Sequence, residues 1–321
     1  MNLDEIIASP SPWLEPGGPH AEIVLSTRVR LARNVAGRPF LARMDADQQQ
    51  EFAPILQDAV AAAVAPAPYT WFDLESLGEI DRQCLLERHL ISREHAAADG
   101  PRAVAVSPDQ RIAVMTNEED HLRLQVYAAG LQLEDAWAEA DALDDRIEGQ
   151  MAYAFSPKLG YLTACPTNVG TGMRASVMLH LPALALTRQI EKVFNAVARM
   201  RLAVRGIYGE GTQAVGDMYQ ISNQGSLGRS EEDILGTLAS VIPQIIEYEE
   251  QARGVLVGES PVALDDRLYR SWALLTHART ISSEETLTLL SAVRLGVHLG
   301  RLEGIAIGAV NELFLLTRRG H

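Results

Sequence analysis

The stretch CPTNVGTGMRAS, residues 165–176, is the most distinctive part of this sequence. It begins with a cysteine and a proline, and a Gly-Thr-Gly step leads from there to an arginine. Gly170 and Gly172 permit a tight backbone path, and residues 174–176 predict the first turn of a helix. A glycine-rich turn with free N–H groups and a guanidinium is typical of a phosphate site, but it also occurs in many ordinary loops.

The composition limits the classes of function to consider. The chain has 321 residues and is 47% hydrophobic, which is enough for one large domain or two smaller ones. Its formal net charge of −14 argues against nucleic acid as a direct partner, because phosphate backbones attract a basic surface. The sequence has no apolar run of about 18 residues, so we expect no membrane-spanning helix.

The start of the chain and its cysteines predict a cytoplasmic protein. MNLDEIIASPSPW lacks the basic and apolar regions of a secretory signal. Cys84 and Cys165 lie far apart and in no zinc-binding spacing, which favours a reducing compartment. We therefore expect no metal site built from protein side chains alone.

Nearly all positive charge in the chain is arginine, since lysine occurs only at Lys158 and Lys192. Codon bias in a GC-rich genome accounts for most of this imbalance. Neither lysine follows a glycine, which excludes a Walker A loop, and the H-R-D loop of protein kinases is missing. The sequence also lacks H-E-x-x-H, C-x-x-C and G-x-S-x-G, so the sites that those motifs form are excluded.

Hydrophobic periodicity and turn residues predict an α+β fold with a helical C-terminal part. The predicted strands begin at residue 22, continue as a hairpin around SPDQ (107–110) with a third strand after it, and recur at 161–165, 202–211 and 218–224. The predicted helices are 45–65, 78–91, 133–150 and every segment after about residue 230, with a break at 253–261. The first residues, with SPSPW and EPGGP, predict a loosely ordered arm.

Five short segments concentrate charge among apolar residues. They are STRVR (26–30), RHLIS (88–92), NEEDHLR (117–123), CPTNVGTGMRAS (165–176) and RGIYGEG (205–211). Each has an ordinary explanation when taken alone: an exposed strand face, a helix-surface histidine, a solvated acidic turn, a buried cysteine or a weak glycine pattern. Together they indicate phosphate chemistry, because their arginines, at positions 28, 30, 123, 174 and 205, could surround a phosphoryl group with planar donors. Acidic residues beside such a group suit a second, cationic substrate.

These segments resemble the guanidino-phosphotransferases, the phosphagen kinase superfamily that includes creatine and arginine kinases. CPTN-x-GTG-x-R is the signature of that family, and NEEDH is nearly as specific. A finer resemblance is to its bacterial branch, the protein-arginine kinases of the McsB type, carried by NQGSLGRSEEDI (223–234), EDHLRLQ and VRGIYGEG. The resemblance covers residues 21–255 and continues weakly into the helical end.

The resemblance implies a fold and a division of the chain. The fold is a large antiparallel sheet flanked by helices, shared with glutamine synthetase. We expect an N-terminal arm at 1–20, a catalytic domain at 21–255 and a short helical domain at 256–321. The helical domain that precedes the catalytic domain in the small-molecule kinases has no room here, since the first motif starts at Glu22.

The resemblance also implies which residues act. Glu119, with Glu118 and Asp120 beside it, would hold the target guanidinium and act as base, Glu210 would grip it from the other side, and Cys165 would lie near it as an orienting thiolate. The ATP-binding residues implied are Ser26, Thr27, Arg28, Val29, Arg30, His89, Arg123, Arg174, Ala175, Ser176, Val177, Met178, Arg205, Gly206, Ile207, Tyr208, Gly209 and Glu210. Mg²⁺ is implied by the nucleotide, with no dedicated protein cage for it.

The chemistry of the acceptor agrees with these roles. A free guanidinium has a pKa of roughly 12.5–13.8 and is a poor nucleophile. Carboxylates can align it and accept its proton, while positioning and electrostatics carry the transfer itself.

Three functions fit the sequence. The first is an ATP-dependent kinase of arginine side chains in proteins, which an open site without the extra domain would suit. The second is a kinase of free arginine or another guanidino compound. The third is a catalytically inactive adaptor that binds a nucleotide or a partner, which the intact acids and arginines disfavour. An acidic surface would favour basic DNA-binding repressors and protease-targeted proteins as substrates; an activator protein and a homodimer are left open.

The C-terminal stretch gives one further expectation. In the McsB type, an R-D-x-x-R-A motif that forms a phosphoarginine pocket follows the NEL-x-LT stretch. The matching stretch here is NELFLLTRRGH (311–321), with no such motif in the sequence. We expect little or no response to added phosphoarginine.

Overall fold

The strands of the protein form one large sheet and one small hairpin. The computed structural model describes residues 3–206 and 215–321, and these residues build an eight-stranded sheet and a two-stranded one. The strands are β1 (Val24–Arg33), β2 (Thr70–Asp73), β3 (Ala103–Val106), β4 (Ile112–Thr116), β5 (Leu122–Ala129), β6 (Phe155–Ser156), β7 (Gly160–Tyr161), β8 (Met173–His180), β9 (Leu202–Gly206) and β10 (Met218–Asn223).

The large sheet is antiparallel throughout its described part. Its order is β2-β3-β4-β5-β1-β8-β10-β9, with every neighbouring pair antiparallel. The SPDQ hairpin and the third strand correspond to β3, β4 and β5. The predicted α+β class and the large antiparallel sheet are confirmed.

Helices cover the sheet and make up the part of the chain that follows β10. They are α1 (Leu3–Ala8), α2 (Ala46–Val64), α3 (Glu79–Glu87), α4 (Arg93–Ala97), α5 (Leu133–Glu148), α6 (Pro182–Leu186), α7 (Ile190–Arg199), α8 (Glu231–Glu259), α9 (Pro261–His277), α10 (Ser283–His298) and α11 (Ile307–Leu316). Local signals place several of their ends. Asp45 caps α2 by accepting from the Gln48 N–H, and Ser230 caps α8 in the same way through Asp233. None of the described helices is both long enough and apolar enough to cross a membrane.

The two faces of the sheet have different coverings. Alternate side chains of β1, β5 and β8, such as Val29, Val126 and Val177, join residues of α2, α5 and α8 in the main hydrophobic core. The other face carries two smaller clusters. One joins Trp13 and the helices α9, α10 and α11, and the other joins α1, α3 and the edge strands β2, β3 and β4. The part of this face between the two clusters is where the polar side chains lie.

Two local predictions about the glycine-rich stretch are wrong. Residues 174–176 do not begin a helix, because they belong to β8, which pairs with β1 and β10. The start of β8 does alternate, with Ala175 and Val177 in the main core and Arg174 and Ser176 on the opposite face, so the error came from reading the glycine turn as the start of a helix. The strand predicted at 161–165 is only the two-residue β7.

The helix break predicted at 253–261 is confined to Ser260, which separates α8 from α9.

The N-terminal arm is not loosely ordered over its described residues. Trp13 and Leu14 are buried, and Asn311 of α11 donates its side-chain N–H to the Leu14 carbonyl at 2.9 Å. Arg294 of α10 donates to the carbonyl of Ala21, the residue that directly follows the arm, at 2.6 Å. Contacts with the C-terminal helices, which lie far away in sequence, therefore order the arm, and its own composition gives no sign of them.

Candidate active site

One face of the large sheet carries a row of arginine side chains. Arg28 and Arg30 are two residues apart on β1, so their side chains lie on the same face. Arg30 is paired with Arg174 on β8 and with Gln125 on β5, and Gln125 is two residues from Arg123. Four of the arginines singled out from the sequence therefore share this face.

The fifth arginine joins the row through β10. Met178 lies four residues after Arg174 on β8 and shares its face. Gln220 of β10 is paired with Met178 on one side and with Arg205 of β9 on the other. The arginine row thus extends over the adjacent strands β5, β1, β8, β10 and β9.

Like charges meet at the centre of the arginine row. Arg30 and Arg174 lie directly opposite each other across β1 and β8, a relation in which like charges repel. Burial, and then the positive charges of Arg28, Arg123 and Arg174, hold the pKa of Arg30 well below its usual value. The buried Arg30 Nε has no hydrogen-bond partner within the described residues. A bound phosphate would relieve the repulsion and supply an acceptor.

A narrow cleft lies beside the arginine row, with a volume of about 10 Å³, which is room for about one water molecule. Arg28 forms part of its wall: Nη1 donates to the Tyr127 hydroxyl at 2.6 Å and Nη2 to Gln220 Oε1 at 3.2 Å. Trp13 and Met178 also line the cleft. Aromatic and apolar walls next to a row of cations suit a planar ring that carries phosphates.

His89 closes one side of this cleft. It follows the end of α3 with a φ of 60°, and its ring meets Trp13 edge-on at 4.7 Å between centroids. Burial, and then the charges of Arg318 and Arg28, hold the pKa of His89 well below its usual value, so the ring is neutral at pH 7. Its Nε2 is buried without a partner in the described parts of the chain, which leaves a polar atom for a ligand.

The acidic turn between β4 and β5 gives its three acids different roles. Glu118 is buried and paired with Arg123, whose Nη1 lies 2.6 and 2.7 Å from the two carboxylate oxygens. Ser92 Oγ donates to the same carboxylate at 2.5 Å. Burial alone would raise the pKa of Glu118, but the charge of Arg123 and these hydrogen bonds lower it below its usual value. Glu118 is thus committed to holding one arginine of the row.

Glu119 is the acid free to meet a substrate. Its side chain is exposed, and its carboxylate makes no hydrogen bond or ion pair within residues 3–206 and 215–321. Partial burial, and then the negative charges of Glu118 and Asp120, raise the pKa of Glu119 above its usual value. A carboxylate whose charged form is disfavoured in this way is better able to accept a proton or a cation.

Asp120 positions the segment that carries the cysteine. Its Oδ1 accepts the side-chain N–H of Asn34 and the backbone N–H of Ala164, both at 2.6 Å. Cys165 follows at once, partly exposed, with Sγ 3.0 Å from Thr167 Oγ1. The resemblance assigned Asp120 to the acceptor site beside Glu119; the structure shows its carboxylate buried, with Oδ1 fixing the segment of Cys165 relative to the acidic turn.

The glycines of the opening stretch serve close packing. Gly172 has a φ of 66°, and a Cβ there would lie 2.5 Å from Arg33 Nη1 and 2.6 Å from the Ala32 carbonyl oxygen. Gly170 has a φ of 118° and meets the Ser226 backbone equally closely. The turn lets β8 start directly beside β1, which brings Arg174 opposite Arg30.

Not every residue that the resemblance assigned to ATP faces the arginine row. Four of them have side chains on the opposite face: Thr27 donates to the Gly130 carbonyl, and Val29, Ala175 and Val177 pack in the main core. Alternation along a strand makes this unavoidable, because a continuous motif places every second side chain on the other face. Ser26, Ser176 and Met178 do line the cleft, and Gly206 ends β9. Ile207, Tyr208, Gly209 and Glu210 lie outside the described residues.

Three cleft residues were missed by the sequence reasoning: Trp13, Tyr127 and Gln220. Tyr127 could have been found, since it continues the alternation Arg123, Gln125, Tyr127 along β5. Nothing in the local sequence marks Trp13 or Gln220.

Comparison with known proteins agrees with this geometry. Two family models match the chain. The ATP:guanido phosphotransferase, C-terminal catalytic domain, matches residues 52–252, and the protein-arginine kinase McsB C-terminal domain matches residues 261–321.

Curated relatives match over nearly the whole chain. The protein-arginine kinase of Halothermothrix orenii is 47% identical over 322 residues, which cover 100% of this chain and 92% of the relative. That of Symbiobacterium thermophilum is 48% identical, with 98% and 90% covered.

Solved structures show the same fold. A lombricine kinase superposes with a TM-score of 0.63 at 26% identity, covering 74% of this chain and 69% of its own. A duplicated taurocyamine kinase from Schistosoma mansoni with transition-state analogue components gives 0.66 at 28% identity; 73% of this chain matches, which is 34% of that longer chain. The family model for the catalytic domain and the curated protein-arginine kinases that match nearly the whole chain agree with the arginine row and the exposed acid beside it. This chain therefore belongs to the ATP:guanido phosphotransferase family, in its protein-arginine kinase branch.

Proposed function

We propose that this chain transfers the γ-phosphoryl group of ATP to the guanidinium of arginine side chains in proteins. The observation that carries the proposal is the arginine row on one sheet face with an exposed acid, Glu119, at its end. The row suits a polyanion and the acid suits a cation, so one site offers places for both substrates of a guanidino kinase. The full-length protein-arginine kinase relatives support a protein-bound arginine as the acceptor.

The arginine row is the proposed phosphate site. Arg28, Arg30, Arg123, Arg174 and Arg205 can direct planar N–H donors at the phosphates from four strands of the sheet, β1, β5, β8 and β9. The adenine ring would lie at the cleft formed by Trp13, His89 and Tyr127, with His89 Nε2 available as a hydrogen-bonding atom; the side chains of the cleft, whose volume is about 10 Å³, would have to move apart to admit the ring. This placement directs the triphosphate along the sheet face toward the acidic turn.

Magnesium fits this site as a companion of the nucleotide. Within the described residues, no group of three or more His, Cys, Asp or Glu side chains is arranged to hold a metal ion. Mg²⁺ commonly binds through phosphate oxygens, water and one or two carboxylates, and when bound it neutralises phosphate charge. The five arginines supply the remaining positive charge from the protein itself.

Glu119 is the proposed base for the acceptor. The incoming guanidinium would be held by the Glu119 carboxylate, and we propose that Glu210 contacts its other edge. Glu119 accepts a proton from the guanidinium nitrogen as that nitrogen forms a bond to the γ-phosphorus. The bond from the γ-phosphorus to the bridging oxygen breaks, and ADP leaves with that electron pair. Asp120 fixes the position of Cys165, and the sulfur of Cys165 would lie beside the guanidinium and help to orient it.

We infer the setting of the reaction as well. Both cysteines are free, which suits a reducing cytoplasm. The proposed substrates are proteins that present arginine at their surface, with basic DNA-binding repressors and protease-targeted proteins as candidates. We also propose the division into an arm (1–20), a catalytic domain (21–255) and a helical domain (256–321), which the limits of the two family models support.

The test of the function is a transfer assay with two acceptors. The protein is incubated with Mg-ATP and either casein or free arginine, and phosphorus NMR follows the appearance of an acid-labile P–N phosphate. We expect the signal on casein and little on free arginine, with the Glu119→Gln variant as the inactive control. Phosphorylation of free arginine alone would contradict a protein acceptor, and no transfer to either would favour an adaptor.

A further inference from the structure

A segment of the helical C-terminal part, residues 318–321, lies against the last turn of α3. The Gly320 N–H donates to Glu87 Oε2 at 2.9 Å, and His321 Nδ1 lies 3.2 Å from the same oxygen. The other oxygen, Glu87 Oε1, accepts the side-chain N–H of Gln83 at 2.6 Å. The side chains of Glu87 and His321 are almost fully buried. Glu87 is therefore a buried carboxylate whose partners come mainly from a segment more than two hundred residues away.

The fit of this segment is close enough to require a glycine. A Cβ on Gly320 would lie 2.8 Å from the backbone nitrogen of Cys84 and 2.9 Å from its Cα. These are backbone atoms of α3 and cannot move aside without moving the helix. His321 Nε2 also lies 3.8 Å from Cys84 Sγ. The segment therefore contacts both Cys84 and Glu87, which are three residues apart on α3.

The same turn of α3 leads directly into the nucleotide cleft. His89 is two residues after Glu87, and its N–H donates to the Leu86 carbonyl at 2.9 Å. The side chain of Gln125 donates to the His89 carbonyl at 2.6 Å. Arg88, which lies between Glu87 and His89 in the sequence, donates to the Ser9 carbonyl at 2.7 Å. This bond connects the end of α3 to the arm that carries Trp13. The direction of the His89 ring thus depends on where the end of α3 is held.

We propose that Glu87 is a positioning residue for nucleotide binding: by binding Gly320 and His321 it fixes the end of α3 and holds His89 against Trp13. The helical C-terminal part, which is matched by the McsB C-terminal model, thereby contributes to the affinity of the catalytic domain for the nucleotide. The proposal rests on the nucleotide cleft proposed above.

The test compares nucleotide affinity with stability in a small set of variants. Gly320→Ala pushes the segment off α3 without changing any charge, Glu87→Ala removes the acceptor, and Glu87→Gln keeps a neutral one. Arg319→Ala is the matched control, because Arg319 is the exposed neighbour on the same segment. Val60→Ala, in the core on the opposite sheet face, controls for a general loss of stability. His89→Ala is the positive control for the cleft.

The measurements are ADP affinity by calorimetry and the separate values of kcat and KM for ATP. We expect Gly320→Ala and Glu87→Ala to weaken ADP binding by about 3- to 10-fold, the net effect of about one ordinary hydrogen bond, since Glu87 acts on the cleft only through the position of His89. Glu87→Gln should lose less, kcat at saturating ATP should stay within about 2-fold of wild type, and Arg319→Ala and Val60→Ala should bind ADP normally.

Two outcomes would overturn the proposal, and they differ. If Gly320→Ala and Glu87→Gln fold and bind ADP as tightly as wild type while His89→Ala binds weakly, the segment serves only stability. If His89→Ala itself binds ADP normally, the proposed cleft is wrong and the role of Glu87 is overturned together with it.

Discussion

Glu119→Gln should remove most phosphoryl transfer and leave the folded protein unchanged. The substitution keeps the shape of the side chain but removes the charge that accepts a proton. A well-placed general base is worth about 10²- to 10⁴-fold in rate, so we expect kcat to fall by that factor. The exposed Glu119 side chain contacts no described partner, so the ADP affinity should stay at the wild-type value. The free energy of unfolding should stay the same or rise slightly, because the substitution removes repulsion from Glu118 and Asp120.

The adjacent Glu118→Gln variant should behave in the opposite way. It removes the negative partner of Arg123, a pair in which the Glu118 side chain is 1% exposed and the Arg123 side chain 16%. Breaking a buried pair costs about 3–5 kcal/mol, and the lower end applies here because glutamine retains an acceptor. We expect a loss of about 3 kcal/mol in urea unfolding, weaker ADP binding, and a smaller loss of kcat than in Glu119→Gln.

The pH dependence separates the two acids further. The pKa of Glu118 is lowered by folding, so its contribution to stability is present above the unfolded pKa of about 4.3 and is lost as pH falls through the lower folded value. The pKa of Glu119 is raised, so kcat/KM should fall on acidification at a higher pH than an ordinary glutamate would give. Near-wild-type turnover in Glu119→Gln, together with unchanged stability in Glu118→Gln, would refute this assignment of roles.

The other predictions concern the arginine row, the glycine turn and the cysteine. Arg174→Ala should weaken ATP binding in calorimetry by about 10-fold or more, and Arg174→Lys should restore it only partly because lysine lacks the planar fork; unchanged affinity in both would contradict the row as a phosphate site. Gly172→Ala should lower the free energy of unfolding by about 2 kcal/mol or more in urea, since its φ of 66° and the approach to Arg33 and Ala32 leave no room for a Cβ; an unchanged urea midpoint would contradict that packing. Cys165→Ser should reduce kcat without changing the urea midpoint, and alkylation of Cys165 in the wild type should slow when ATP is bound; slow labelling that ATP does not affect would favour a packing role.

The sequence by itself determined the features that depend on local geometry. The two-residue spacing of Arg28 and Arg30 places them on one side of β1 whatever the strand pairs with, because successive side chains alternate. The caps at Asp45 and Ser230 start their helices through contacts within four residues. The motifs also indicated the family, since the chemistry of a phosphate and a guanidinium requires those residue types close together.

Only the tertiary structure decided which distant residues meet and which face each one occupies. Strand register brings Arg174 opposite Arg30, and burial commits Glu118 to Arg123 while leaving Glu119 exposed, although the two acids are neighbours in the sequence. The glycine turn before residue 173 was read as the start of a helix, whereas pairing with β1 and β10, which lie elsewhere in the sequence, makes residues 173–180 a strand. Trp13 lies in the wall of the nucleotide cleft, and Gly320 lies against the end of α3. Both contacts join residues that are far apart in the sequence, so the local spacing of residue types cannot predict them.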